Sequence, residues 1–228
     1  QGCNAVAVGY QAGMSNQGKY STVVGYQAGK SNQGNYSVAI GERAGLSSQS
    51  DFSVALGQMA GYSNQGPVSV AIGAGTATTS QGCNAVAIGS GSGDSNQGAG
   101  AVAIGYGAAG FTQRSGAVAI GNYAGQQSQG SYAIAIGDNS AITDQGSYSV
   151  AVGYEAGWSN QKISAVAIGY KAGYSNQNVY AISIGEKSGK SNQGNSSTAV
   201  GYTAGETNQG NGAVSLGTNA GRSNQKAS

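Results

Sequence analysis

The sequence repeats every 16 residues along its whole length. Gly recurs at one register of this period, and Gln recurs at another from Gln1 to Gln225, both without exception. Self-similarity at a fixed period is the signature of repeat architectures, in which each unit packs on its neighbours. The 228 residues hold a little over fourteen units. The whole chain, residues 1–228, is therefore expected to form a single repeat domain.

Each unit carries a short stretch of alternating large and small apolar residues before its fixed Gly, such as Ala-Val-Ala-Ile at residues 85–88. Alternation with a period of two is typical of a β-strand. Sixteen residues are too few for a strand and a crossover helix, so each strand must pair in parallel with the strand one unit away. The sequence predicts an all-β fold: a single parallel β-solenoid, or β-roll, of about 14 coils with a 16-residue period.

The fixed Gly, the Ala-Gly pair that follows it and the Ser-Asn-Gln-Gly segment are predicted to be turns, because Gly and Asn tolerate positive φ. The predicted turn glycines are Gly9, Gly25, Gly41, Gly57, Gly73, Gly89, Gly105, Gly121, Gly137, Gly153, Gly169, Gly185, Gly201 and Gly217.

The invariant Gln is predicted to be buried and to form an amide ladder, in which each side chain hydrogen-bonds the next coil. The predicted ladder comprises Gln17, Gln33, Gln49, Gln65, Gln81, Gln97, Gln113, Gln129, Gln145, Gln161, Gln177, Gln193, Gln209 and Gln225.

Residues 16 apart should lie about 4.8 Å from each other in such a fold. Their side chains are compatible: Glu155 lies above Lys171, and Glu186 is expected to relieve the like-charge contact of Lys171 with Lys187. Lys190, Glu206 and Arg222 share a column with alternating sign. The predicted aromatic columns are Tyr10–Tyr26, Tyr20–Tyr36–Phe52, Tyr132–Tyr148, Tyr154–Tyr170 and Trp158–Tyr174.

The alternating strand leaves two assignments for its faces. We expect Val and Ile to fill the coil, with small residues forming a flat outer strip at Ala5, Ala7, Ser37, Ala39, Ala101 and Ala103. The inverse assignment places Ala inside and Val and Ile between chains. Both assignments predict association, because a long exposed apolar strip usually marks an interface.

Composition excludes several classes of protein. Only 8% of residues are charged and the net charge is +2, which gives no electrostatic footprint for nucleic acid or an anionic membrane. No apolar run approaches the 18 or so residues of a membrane-spanning helix. The chain has no His, the commonest general base and metal ligand. We expect no catalytic residue, cofactor, metal, nucleic-acid partner or membrane insertion in this segment.

Three weaker signals are interpreted as structural. Residues 105–110 (Gly-Tyr-Gly-Ala-Ala-Gly) match a dinucleotide-binding pattern, but no helix follows and the glycines fall largely on repeat positions. Asp94 is a single carboxylate in a surface loop. Cys3 and Cys83 are five coils, or about 24 Å, apart, beyond the reach of a disulfide. They are either free or paired between chains.

The units at residues 37–41 (Ser-Val-Ala-Ile-Gly), 85–89 and 117–121, with the Ala44-Gly45 pair, resemble the head repeats of YadA-like trimeric autotransporter adhesins. Similar repeats occur in repetitive surface-fibre proteins of giant viruses and phages. The resemblance implies a left-handed parallel β-roll, three chains side by side, and display outside the cell or particle for attachment. The 16-residue period is longer than the family's usual one.

The leading hypothesis is a non-enzymatic structural protein that forms a stiff, self-associating extracellular fibre or filament. Its partners would be copies of itself, in a lateral trimer or an end-to-end filament, and its location extracellular, on a cell or virion surface. The chain would be a segment of, or a subunit in, a longer fibre. An ice-binding solenoid is disfavoured by the lack of regular Thr-x-Thr rows.

The alternative hypothesis is an adhesin head that binds a host glycan or matrix protein through its Tyr-bearing faces. The candidate contact surface comprises Tyr10, Tyr26, Tyr154, Trp158, Tyr170, Tyr174 and Tyr202.

Overall fold

The computed structural model of the protein describes residues 1–227, and all regular elements in this range are β-strands. They belong to two compact units, Gln1–Gly116 and a second unit that begins at Ala117. Strands one coil apart pair in parallel with a register of 16 residues, as Val86 does with Val102. The prediction of an all-β parallel solenoid with a 16-residue period is confirmed.

Each coil contains two strands, whereas the sequence predicted one. The Ser-Asn-Gln segment was expected to be a turn, but Ser31–Gln33 pairs in parallel with Ser47–Gln49. Asn32 at its centre does adopt the left-handed conformation, with φ of 54°. The chain therefore bends at Asn32 while its neighbours pair with the next coil, so one segment serves as both turn and strand.

In the first unit, the odd-numbered strands form one seven-stranded sheet and the even-numbered strands form another. The strands are β1 (Val6–Val8), β2 (Ser15–Gln17), β3 (Thr22–Val24), β4 (Ser31–Gln33), β5 (Val38–Ile40), β6 (Ser47–Gln49), β7 (Val54–Leu56), β8 (Ser63–Gln65), β9 (Val70–Ile72), β10 (Thr79–Gln81), β11 (Val86–Ile88), β12 (Ser95–Gln97), β13 (Val102–Ile104) and β14 (Thr112–Gln113).

In the second unit, seven odd-numbered strands form the first sheet and six even-numbered strands form the second. The strands are β15 (Val118–Ile120), β16 (Ser128–Gln129), β17 (Ile134–Ile136), β18 (Thr143–Gln145), β19 (Val150–Val152), β20 (Ser159–Gln161), β21 (Val166–Ile168), β22 (Ser175–Gln177), β23 (Ile182–Ile184), β24 (Ser191–Gln193), β25 (Thr198–Val200), β26 (Thr207–Gln209) and β27 (Val214–Leu216).

The faces of the first sheet are the reverse of the favoured expectation. Ser37, Ala39, Ala101 and Ala103 were expected outside, but all four are fully buried. Of the other small residues expected outside, Ala5 is half-buried and Ala7 is exposed, both in the first coil. Apart from Val23, the Val and Ile side chains of this sheet point outward and are half-buried or exposed in both units. The inverse assignment is therefore the right one for the coil interior.

The interior is too narrow for β-branched side chains. A Cβ atom placed on Gly45 would lie 3.2 Å from Cβ of Ala39 and 2.5 Å from Oε1 of Gln49. The interior of the coil is already filled by three groups: the small residues of the first sheet, the buried Gly45 and the amide of the ladder Gln. Two fully buried β-branched residues, Val23 and Thr76, are exceptions. A Cβ on Gly29 would approach the Val23 side chain to 2.8 Å.

The fourteen predicted turn glycines all adopt φ between 107° and 134°. Their backbones also stack closely from coil to coil: a Cβ on Gly153 would lie 2.6 Å from the carbonyl oxygen of Gly169. Both the dihedral angle and the close approach require a residue without a side chain.

The predicted Gln ladder forms inside the coils, where Gln17 to Gln209 are at most 4% exposed. In the second unit it is continuous from Gln145 to Gln225, where Nε2 of each Gln donates to Oε1 of the next at 3.1–3.2 Å. Oε1 of Gln145 itself has no hydrogen-bond partner. In this unit each Nε2 also donates to a carbonyl of the first sheet, as Gln161 does to Val150 at 2.8 Å. The amides thus join neighbouring coils and also join the two sheets of one coil.

In the first unit the ladder is interrupted. Hydrogen bonds join Gln33 to Gln49, and Gln97 to both Gln81 and Gln113. Other ladder oxygens, such as Oε1 of Gln65, have no hydrogen-bond partner. Oε1 of Gln65 lies close to the backbone of the buried residue Gly61, because a Cβ added to Gly61 would be 2.7 Å from this oxygen.

Candidate contact surfaces

The outward Val and Ile side chains form what we call the apolar strip. It consists of the first and third residues of each first-sheet strand, such as Val38 and Ile40 of β5 or Val166 and Ile168 of β21. Ile168 is 38% exposed and Leu56 41%. No strip position carries a charged residue in either unit, and the polar exceptions are Thr22 and Thr198. Each unit therefore presents a regular, charge-free face of β-branched side chains.

In some coils of each unit, stacked aromatic residues flank the strip, two residues before it or two residues after it. Tyr20, Tyr36 and Phe52 stack with ring centroids 5.0 and 5.1 Å apart on one side. Tyr10 and Tyr26 stack at 5.6 Å on the other side. In the second unit the equivalent stacks are Tyr132–Tyr148 at 5.6 Å and Tyr154–Tyr170 at 5.4 Å. These columns were predicted from the 16-residue spacing and are confirmed.

Four of the seven candidate contact residues come together in the second unit. Trp158 stacks on Tyr174 at 5.2 Å, close in the chain to the stacked pair Tyr154–Tyr170. Tyr10 and Tyr26 form their own pair in the first unit, and Tyr202 is exposed. Because neighbouring rings cover one another's faces, this surface offers mainly ring edges and hydroxyl groups to a partner.

An ion pair lies beside the Trp158 cluster. Nζ of Lys171 is 3.2 Å from a carboxylate oxygen of Glu155, and it lies 5.4 and 5.8 Å from the ring centroids of Tyr170 and Tyr174. Hydrogen bonding to Glu155 raises the pKa of Lys171 and also that of the Tyr154 phenol. The cluster therefore keeps its ammonium charged and its phenol neutral to a higher pH than isolated side chains would.

Two further predicted charge contacts are present. Lys187 pairs with Glu186 at 3.5 Å, which relieves its repulsion from Lys171 as expected. In the column of Lys190, Glu206 and Arg222, Arg222 binds Glu206 at 2.8 Å. These are surface pairs, whose contribution to stability is usually below about 1 kcal/mol.

The outer face of the second sheet carries a polar ladder. Asn176 donates to Asn192 at 3.0 Å, and Asn192 donates to Asn208 at the same distance. A similar bond joins Asn16 to Asn32 in the first unit. These amides bond to each other, so the face carries rows of Asn rather than the Thr-x-Thr rows that ice binding would favour.

Within residues 1–227, no group of three or more His, Cys, Asp or Glu side chains could hold a metal ion. Cys3 and Cys83 are both exposed and free. No helix in this part of the chain could cross a membrane.

The favoured sequence assignment placed the strip residues inside the coil, and the inverse assignment placed them between chains. Alternation and the absence of charge mark these positions as one apolar face, but buried residues share both features, so neither shows which side of the strand faces outward. Together, the fold and its surfaces define a β-solenoid repeat protein. The sequence matches no protein-family model and no curated protein.

Proposed function

We propose that this chain is a non-enzymatic structural protein that associates with copies of itself through the apolar strip and so builds a stiff extracellular fibre or filament. The observation that carries this proposal is the exposure of β-branched side chains on a face without charge. Monomeric soluble proteins rarely expose a continuous apolar face of this kind.

The strip is large enough to support association, because each of its many side chains contributes a small free energy of burial. Burial of the exposed part of one Val or Ile contributes about 1 kcal/mol. A dozen such side chains in one unit would contribute about 10 kcal/mol, against an association cost of about 4–15 kcal/mol. Stable association therefore requires many consecutive coils, which fits a repetitive fibre better than a single binding site.

The arrangement of copies and the location follow from the resemblance of the Ser-Val-Ala-Ile-Gly units to adhesin-head and viral surface-fibre repeats. We propose a lateral trimer, displayed on a cell or virion surface. A flat sheet face packs readily against an equivalent sheet, because side chains on a regular pleat can interdigitate.

Sedimentation equilibrium over a wide concentration range tests the proposal. The wild-type chain should sediment as an oligomer, three times its 22.3 kDa for a trimer. The double variant Ile72→Glu, Ile168→Glu places one charge on the strip of each unit and should dissociate to monomers. The matched control Thr79→Glu, Thr143→Glu adds the same charge to the second sheet and should remain oligomeric. A wild-type chain that stays monomeric would overturn the proposal.

A second candidate function, an adhesin head, is favoured by the Trp158 cluster. The single Trp of the chain stacks on Tyr174 next to the Tyr154–Tyr170 pair and the Glu155–Lys171 ion pair. Aromatic edges, hydroxyls and charges suit contact with a host glycan or matrix protein.

Glycan and matrix-protein arrays would test this candidate. The wild-type chain should bind, and Trp158→Ala should lose binding while Tyr180→Ala, a change at an exposed Tyr of the same unit, should retain it. Equal binding by both variants, or none by the wild type, would exclude this surface as the adhesive one.

A further inference from the structure

The stacked tyrosines share a geometry that self-association through the apolar strip does not use. Four Tyr–Tyr pairs within the units have ring centroids 5.0–5.6 Å apart and interplanar angles of 9–13°. All eight rings are 43–66% exposed. The pairs are Tyr10–Tyr26, Tyr20–Tyr36, Tyr132–Tyr148 and Tyr154–Tyr170.

We propose that these pairs are sites of oxidative cross-linking, at which a one-electron oxidant such as a peroxidase with hydrogen peroxide joins the two rings as dityrosine. Each bond would covalently link two neighbouring coils of the same chain. This inference rests on the stacked pairs alone and is independent of the strip and its partner.

The reaction balances with peroxide as the oxidant. Each phenol of a pair loses one electron and one proton to give a phenoxyl radical. The radicals couple through ring carbons ortho to the hydroxyls, and the two ortho hydrogens shift to the oxygens as the phenols reform. Two electrons and two protons leave the protein in all. Hydrogen peroxide accepts them and is reduced to two molecules of water.

The fold holds the two rings of a pair close together before any reaction. Tyr36 N donates to the carbonyl of Lys19 at 2.8 Å, which fixes the coil of Tyr36 against the coil of Tyr20. Such positioning converts an encounter between two radicals into a reaction within one molecule, with a large gain in effective concentration. The rings are also on the surface, where an oxidant can reach them and the side chains can rotate into bonding distance.

The chain contains natural controls for this geometry. Tyr180 is 62% exposed, but the equivalent positions one coil away are Ser164 and Ser196. Phe52 stacks on Tyr36 at 5.1 Å without a hydroxyl group. Tyr180 is therefore a control for an exposed tyrosine without a stacked tyrosine partner. Phe52 is a control for a stacked ring without a phenol hydroxyl.

The test is oxidation of the full chain by horseradish peroxidase and hydrogen peroxide, followed by dityrosine fluorescence and peptide mapping of the band of single-chain mass. Mapping should find cross-linked peptides, each lighter by two hydrogen atoms, at the four pairs. Tyr36→Phe and Tyr148→Phe should abolish the 20–36 and 132–148 cross-links and leave the 10–26 and 154–170 cross-links. Tyr180→Phe should leave all four unchanged.

Circular dichroism of each variant establishes that it is folded, as expected from the natural stack of Phe52. The proposal is overturned if dityrosine occurs only between chains, with Tyr180 participating as often as the paired residues. It is also overturned if the paired rings are oxidised singly without a cross-link.

Discussion

Gln161 donates a hydrogen bond from Nε2 to Oε1 of Gln177 at 3.1 Å, and both side chains are fully buried. Gln177 in turn donates to the carbonyl of Val166 at 2.6 Å and to Gln193 at 3.1 Å. Because one amide satisfies polar groups in two coils and two sheets, it stabilises the solenoid along its axis and across it.

Replacement of the Gln177 amide should lower the stability of the folded chain. Gln177→Leu leaves the carbonyl of Val166 without its side-chain donor and should lower the free energy of unfolding by about 3 kcal/mol. Gln177→Glu should cost more at neutral pH, because it buries a carboxylate against that carbonyl. Its deficit relative to wild type should shrink in acid, since burial raises the pKa of the new carboxyl and protonation restores a donor.

Urea unfolding at neutral and acidic pH measures both effects. The control is Gln127→Glu, an exposed position in the same unit, which should unfold like wild type at both pH values. Equal stability of the Gln177→Glu and Gln127→Glu variants at neutral pH would contradict the ladder's role.

Two classes of glycine with positive φ should respond differently to Ala. At Gly153, with φ of 128°, an added Cβ would lie 2.6 Å from the backbone of the next coil, and Gly153→Ala should cost more than about 3 kcal/mol. At Gly173, with φ of 50°, the added Cβ would meet Oε1 of Gln177, a side-chain atom that can shift.

We expect Gly173→Ala to cost about 1 kcal/mol. Ala77, Ala109 and Ala141 already occupy the equivalent position of other coils with φ of 46–49°. Thermal unfolding of the two variants provides the comparison, and similar melting temperatures would contradict it.

The reversed faces of the first sheet can be tested at adjacent residues. Ala167→Leu forces a large side chain into the narrow interior and should destabilise the chain by about 1–3 kcal/mol. Ile168→Ala removes a partly exposed side chain and should change the stability of the monomer by less than about 1 kcal/mol. Denaturant unfolding at low protein concentration measures both, and the opposite order would mean that Val and Ile fill the coil.

The ion pair beside Trp158 predicts a change at alkaline pH. Lys171 and Tyr154 have pKa values raised above their ordinary 10.5 and 10.0 by hydrogen bonds to Glu155. Both groups bind their protons more tightly when folded, so their contribution is present below these ordinary values and is lost as pH rises through the folded pKa values. Tyr154 should therefore ionise at a higher pH than an isolated tyrosine.

Ultraviolet titration of the phenols follows this ionisation. Glu155→Gln should return the pKa of Tyr154 towards its ordinary value, whereas Glu42→Gln, in the other unit, should leave it unchanged. A late-titrating phenol that persists in Glu155→Gln would assign the shift to another cause.

The 16-residue period predicted the parallel pairing, the stacked aromatic columns and the buried Gln, because each depends only on what lies one coil away. Tyr20 over Tyr36 and Glu155 beside Lys171 follow from register alone. The second strand was missed because an Asn in the left-handed conformation is normally a turn signal, and only pairing with the next coil makes the segment a strand.

The sequence by itself thus determined the repeat, the register and the residues that stack, since these are properties of spacing. Only the tertiary structure decided which side of the strand faces inward. Alternation fixes that Val38 and Ala39 point to opposite faces, but it is the width of the coil that selects between them. The buried glycine and the Gln amide leave room for a methyl group and little more, so Ala is enclosed and Val and Ile lie outside.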